Sequence, residues 1–242
     1  MEKTVSEAIA YRRSTRVYKD IPIQTENVKQ CLVNASLAPT SSNLQLWEFY
    51  HITDKEVLKR MVAACFDQSA AKTAQQLVVV VTRKDLWKQR AKANIDFLRR
   101  VYDKEHLSER ELKRKKMATN YYKKLIPTIY TDLFGILGYI KYFVFQVMGL
   151  FKPIYRQARL SDMRIVAHKS AGLAAQNFMI SMAAIGYDTC PMEGSDTLRV
   201  KRILKLPRSA EINMVIGCGI RDDKGIYGPR FRIPFEEVYF EV

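Results

Sequence analysis

Three guanidinium groups, two hydroxyls and two phenol rings fall within the eight residues Tyr11-Arg12-Arg13-Ser14-Thr15-Arg16-Val17-Tyr18. A guanidinium offers a planar fork of donors that matches the oxygens of a phosphate, and a hydroxyl adds a further donor to the same oxygens. The stretch suits an anionic ligand, with a solvated basic turn as the plain alternative. A second run, Ala38-Pro39-Thr40-Ser41-Ser42-Asn43-Leu44-Gln45-Leu46-Trp47, crowds five polar uncharged side chains behind a proline. It is a loop by its turn chemistry, and the Asn and Gln side chains carry both donor and acceptor. Such a loop is equipped to read the edge of a heteroaromatic ring.

Other site chemistries find little support. Cys31, Cys65, Cys190 and Cys218 are far apart without Cys-x-x-Cys spacing, and His51, His106 and His168 are equally scattered, so no zinc site is indicated. Cys31 and Cys65 sit among apolar residues at helical spacing and read as packed, reduced thiols, in keeping with a reducing cytoplasm. His168 reads as a packed or surface histidine, since no partner carboxylate is indicated for it as a general base. Gly217-x-Gly219 is not a dinucleotide fingerprint, because Asp222 stands at the third glycine position.

These residues need elements to position them. Thr4-x-x-Glu7 is a capping box opening a helix whose apolar face is Val5, Ala8 and Ile9, and that helix delivers the arginine cluster. A second helix from about Thr25 carries Val28, Cys31, Leu32 and Ala35 on one face. Aromatic residues from Trp47 predict a strand over 47–53. Asp54 caps a helix that buries Val57, Leu58, Met61, Val62 and Cys65. The β-branched run 77–81 predicts a strand covered on both faces. Ser161-Asp162 starts a long helix, whose Ser170, Ala171, Gly172, Ala174 and Ala175 let another backbone approach. A strand over 237–242 is expected to end the chain.

Taken together, the motifs resemble the FMN-dependent nitroreductase family. Arg-Arg-Ser-x-Arg near the start is followed about 25 residues on by Pro-Thr-Ser-Ser-Asn-x-Gln-x-Trp. Later come Ala183-Ala184-Ile185-Gly186-Tyr187-Asp188 with Pro191-Met192-Glu193-Gly194, then Ile216-Gly217-Cys218-Gly219, then Gly228-Pro229-Arg230-Phe231-Arg232. The resemblance implies an α+β fold with a central, mainly antiparallel sheet flanked by helices, working as an intertwined homodimer. It implies FMN as cofactor, NADH or NADPH as co-substrate and a small-molecule electron acceptor. Arg12, Arg13, Ser14, Arg230 and Arg232 would take the phosphate end, and Arg16 the ring edge where charge builds on reduction. Pro39, Thr40, Ser41, Asn43 and Gln45 match the loop that the partner subunit supplies to the ring. Gln68 lies where the family places a polar residue on the flavin, and Pro191, Met192, Glu193 and Gly194 match the loop beside the ring. No catalytic side chain is required, because the cofactor carries the reaction. The pattern departs at Leu46, where Pro is usual, and at Glu48, where His or Arg is frequent. Lys72 is one residue out of register with the family's lysine.

At 242 residues the chain suits a single domain, 1–242, with an insertion at about 84–160. Of 40 Lys/Arg and 25 Asp/Glu, the stretch 83–124 holds 15 and 6, a local charge of +9 within a net +15. It carries no recognised nucleic-acid motif, so no nucleic acid is expected as partner. The apolar run 125–151 contains Pro127, Asp132 and Lys141, which argue against a membrane span. The resemblance implies a lid or dimer cover there, although basic flanks around an apolar helix also meet what an interfacial segment needs. Met1-Glu2-Lys3-Thr4 leads into a polar helix rather than an apolar run, which reads as a cytoplasmic protein. A flavin-binding protein without turnover, or a basic nucleic-acid or membrane-surface binder, are the alternative readings.

Overall fold

The structure is a computed structural model and describes residues 2–133 and 135–242. Its helices are α1 (Val5–Tyr11), α2 (Thr25–Ser36), α3 (Lys55–Ala64), α4 (Ser69–Lys72), α5 (Trp87–Val101), α6 (Glu109–Asn120), α7 (Ile126–Tyr130), α8 (Ile136–Met148), α9 (Leu160–Ala184) and α10 (Thr197–Ile203). Strands β1 (Trp47–Ile52), β2 (Gln76–Thr82), β3 (Asp188–Met192) and β4 (Glu211–Gly219) form one antiparallel sheet in the order β1-β2-β4-β3.

Strand β2 is buried along its whole length, and its alternation divides the core. Val78 and Val80 face α2 and α9, packing with Val28, Cys31, Ala171, Ala174 and Phe178. Leu77, Val79 and Val81 face the other way, toward Met61 and Ala64 of α3, Cys65 just after it and Val200 of α10. The sheet is therefore sandwiched between two helical layers. The capping box of α1 forms, with Thr4 N–H donating to Glu7 at 2.8 Å and Glu7 N–H donating to Thr4 Oγ1 at 3.4 Å. Of its expected apolar face only Ala8 is buried, while Val5 and Ile9 stay exposed.

Gly217 marks a close approach. A Cβ there would lie 2.7 Å from the Ala70 carbonyl oxygen and 3.1 Å from the Tyr18 hydroxyl, which already donates to Gly217 O at 2.9 Å. Gly217→Ala is expected to destabilise the fold by about 1–3 kcal/mol, through overpacking in a full core. The urea midpoint measures it, and an unchanged midpoint would mean that α4 can slide outward.

The run 125–151 carries two helices, α7 and α8, and Gly135 adopts φ +89 immediately before α8. One expectation is corrected. No strand forms over 237–242; the tail holds one 3-10 turn, Phe235–Glu237, and is exposed throughout. Alternating residues make a strand only where a neighbouring backbone takes up their hydrogen bonds, and the described chain offers none to this tail. Among the described residues, no helix is long and apolar enough to cross a membrane.

Candidate functional site

Helix α1 ends where the arginines begin. Arg12 N–H closes the last turn on Ala8 O at 2.9 Å, and its φ of −57 and ψ of 125 turn the chain into an extended segment. That segment lies against the edge strand β3, with Thr15 N–H donating to Thr189 O at 3.1 Å. Arg16 N–H reaches Gly225 O at 2.7 Å. Thr15 faces inward and is buried, so alternation turns Ser14 and Arg16 outward. The 226–232 segment crosses the same place from the other end of the chain.

Two adjoining clefts result, sharing Ser14, Arg16 and Tyr227. The first, about 350 Å³, is lined by Arg12, Arg13, Arg230, Arg232 and residues 226–229. The second, about 240 Å³, runs between Gln68, Ser69 and Ala70 and the row Cys190, Pro191, Met192, Glu193 and Gly194. Gln68 Nε2 donates to Gly194 O at 2.7 Å, tying the two walls together.

The electrostatics of the first cleft are one-sided. Among the described residues, none of Arg12, Arg13, Arg16, Arg230 and Arg232 pairs with a carboxylate. The Arg12 guanidinium is held below its ordinary pKa by burial, and then by repulsion from Arg230 and Arg232. Arg230 Nη2 donates to Ala10 O at 2.8 Å and Arg12 O at 2.7 Å, and Arg13 Nη2 donates to Gly228 O at 2.6 Å. These bonds stitch the two chain ends together without neutralising any charge. An anion with several oxygens is the group such a cleft lacks.

Eleven of the sixteen residues expected from the sequence therefore meet in the twin cleft. The other five do not. Pro39, Thr40, Ser41, Asn43 and Gln45 line neither half, and their loop packs against α9 and the insertion instead. Asn43 Nδ2 donates to Asn94 at 2.8 Å, and Ser42 shares a hydrogen bond with the Tyr121 hydroxyl at 2.6 Å. Ser42, Asn43 and Gln45 hold φ of 55, 50 and 48, a left-handed region that side chains other than glycine occupy at a cost. Ser41 and Ser42 open a third, more apolar cleft of about 240 Å³ with Tyr121, Leu125, Tyr130, Tyr155 and Met163. Lys72 lies in a separate cleft with Tyr18, Asp20 and Lys55.

Tyr227 was not anticipated. Its ring sits 5.4 Å from the Arg16 guanidinium, one residue before the Gly228-Pro229-Arg230 motif that was the only signal near it. Cys190 forms part of the cleft wall, with its thiol pushed up by burial and partly offset by Arg16 and Arg12. His168 is a packed histidine as expected, but it has a partner carboxylate that the sequence did not indicate: Glu211 lies 3.1 Å from its Nε2, and Asn213 meets its Nδ1 at 3.1 Å. The group lines none of the three clefts at the candidate residues, and its carboxylate is shared with Arg164. Glu48, a departure from the family pattern, is held by Arg83 at 2.7 Å through both carboxylate oxygens.

The donor set fits FMN. The arginine cleft matches a phosphate dianion, and the adjoining cleft offers an amide, a hydroxyl and backbone groups to the edge of a flat polar ring. Comparison with known proteins agrees with the geometry. Protein DrgA of Synechocystis is 26% identical over 218 residues, covering 90% of this chain and 84% of that protein. An NADH dehydrogenase of Thermus thermophilus is 25% identical over 227 residues, covering 94% and 90%. A solved structure from Exiguobacterium sibiricum in complex with FMN superposes with a TM-score of 0.67 at 20% identity, covering 99% of this chain and 98% of that one, which speaks for the fold. The Nitroreductase family pattern itself matches residues 9–220, a span that holds Arg12, Arg13 and Arg16 and ends before Arg230 and Arg232, and the chain belongs to the nitroreductase family of oxidoreductases.

Proposed function

We propose that the protein is an FMN-dependent oxidoreductase that takes electrons from NADH or NADPH and passes them to a small acceptor, such as a nitroaromatic or a quinone, in a ping-pong cycle. The observation that carries this reading is the cluster of five arginines without carboxylate partners among the described residues, opening into a cleft walled by Gln68 and the 190–194 row. FMN, when bound, supplies the two-electron chemistry. The chain's residues bind and orient it. Arg12, Arg13, Arg230 and Arg232 hold the phosphate, and Ser14 adds a hydroxyl. Arg16, steadied by Tyr227, stands where positive charge stabilises a ring that gains electrons. Gln68 and the backbone of Glu193 and Gly194 fix the ring's position, so that one face is left for the two substrates in turn.

The strained 39–45 loop supports a homodimer. It carries the candidate ring-reading residues yet lines neither half of its own chain's twin cleft, as a loop serving a partner subunit would. The insertion at about 84–160 belongs to the same domain, since α5 and α7 pack through Ala91, Ile126 and Tyr130 on Met163 and Ala167 of α9. The purified protein is expected to be a yellow dimer with one FMN per chain, oxidising NADH or NADPH with parallel double-reciprocal plots against an acceptor. Light scattering that gives a flavin-loaded monomer, or intersecting plots, would defeat the corresponding part.

A further inference from the structure

Helix α8 presents a continuous apolar row to solvent. Ile136, Tyr139, Ile140, Phe143, Val144 and Val147 fall within an arc of about 140° at the helical repeat, and the row continues into Leu150 and Phe151. Phe143 is 69% exposed and Phe151 85%. The opposite side of α8 is satisfied within the chain. Gly138 lies against the backbone of Arg159 and Leu160, and the Tyr142 ring is 4.8 Å from the Arg159 guanidinium. Lys141, the one charge in α8, folds back to donate to the Thr131 carbonyl oxygen and so leaves the apolar row uninterrupted.

The segment that carries this row is strongly basic. Residues 83–160 contain 19 Lys/Arg and 7 Asp/Glu, a charge of +12 out of the chain's +15. The four consecutive cations 113–116, with Lys123, Lys124 and Lys152, take part in no salt bridge among the described residues. An apolar helix face carried by a segment with this excess of cations is complementary to an anionic lipid surface, where the row enters the acyl boundary and the lysines meet the headgroups. A second copy of this chain complements it poorly. A two-fold contact through α8 would bring two +12 segments together, and the cofactor cleft that a lid would cover is itself basic. At 13 residues α8 spans only about 20 Å, too short to cross the roughly 30 Å of hydrocarbon.

We propose that α8, with the basic segment that carries it, docks the protein on the surface of a bilayer containing anionic lipid. Co-sedimentation of the flavin-loaded protein with vesicles tests this. Vesicles of phosphatidylcholine with one quarter phosphatidylglycerol are expected to retain it, and vesicles of phosphatidylcholine alone to retain at least about tenfold less. Phe143→Asp with Val147→Asp should lower retention by at least about tenfold, with dimer mass and NAD(P)H oxidation unchanged. Lys115→Glu with Lys116→Glu should erase the preference for anionic vesicles. A conservative probe covers any folding failure of these variants: Phe143→Trp should gain fluorescence quenching by brominated lipid that wild type lacks. Absence of retention on anionic vesicles, or no quenching gain in Phe143→Trp, would overturn the proposal. Loss of the dimer in the Phe143→Asp, Val147→Asp protein would assign the row to a second copy and overturn it equally.

Discussion

Arg12→Ala and Arg232→Ala are each expected to weaken FMN binding roughly 10- to 150-fold, since a hydrogen bond to a charged group contributes about 1.5–3 kcal/mol. The two residues come from opposite ends of the chain and line one cleft, where Arg12 is already destabilised by burial and by its basic neighbours. A bound dianion would relieve that repulsion. Arg→Lys at either position should restore only part of the affinity, because the charge remains and the fork is lost. Arg230→Ala differs, for its guanidinium already bonds two carbonyls at the end of α1, and the variant should lose stability as well as affinity. Lys115→Ala should leave FMN alone, since Lys115 lies in α6 and lines neither half of the cleft. Titrating apoprotein with FMN separates the cases. Equal losses at Arg12, Arg232 and Lys115 would mean that general charge, not the cleft, attracts the cofactor.

Much of this site is legible in the sequence because its parts are short contiguous runs. Arg12-Arg13-Ser14-x-Arg16, Pro191-Met192-Glu193-Gly194 and Arg230-x-Arg232 each bring several donors or a shaped loop within a few residues, and backbone connectivity alone keeps them together. The core was legible for a similar reason. The 77–81 run has no polar face to turn to water, so it had to be covered on both sides. What escaped depends on contacts between distant residues. Tyr227 is an isolated aromatic whose role exists only because Arg16 arrives beneath it. Glu211 lies 43 residues from His168, and their meeting depends on β4 lying beside α9. The outward direction of α8's apolar row is another such case. Periodicity says that a helix has an apolar face but not what that face meets, and the same limit applies to Val5 and Ile9 of α1.

Asp188→Ala is expected to cost about 3 kcal/mol of stability and to weaken FMN binding without touching the cleft. The Asp188 carboxylate is 1% exposed and gathers the end of α1 and the end of β4. Its oxygens accept from Arg221 N–H at 2.9 Å, from Arg221 Nε at 2.8 Å and from the Tyr11 hydroxyl at 3.3 Å. Arg221 in turn covers the Tyr11 ring at 4.1 Å and reaches Tyr11 O at 3.3 Å. Removing one partner of a buried pair typically costs 3–5 kcal/mol, and the low end applies because Arg221 keeps 28% exposure to water. Tyr11 immediately precedes Arg12, so loosening this node lets the first arginine of the cleft drift. Asp188→Asn keeps an acceptor for the Arg221 N–H and should cost roughly half as much. Asp188→Ala with Arg221→Ala removes the stranded charge together with its partner and should be less destabilised than the two single effects added. Urea midpoints of the four proteins, with an FMN titration of each, form the test. Strict additivity, or full FMN affinity in Asp188→Ala, would show that α1 is held in place by its contact with α9 alone.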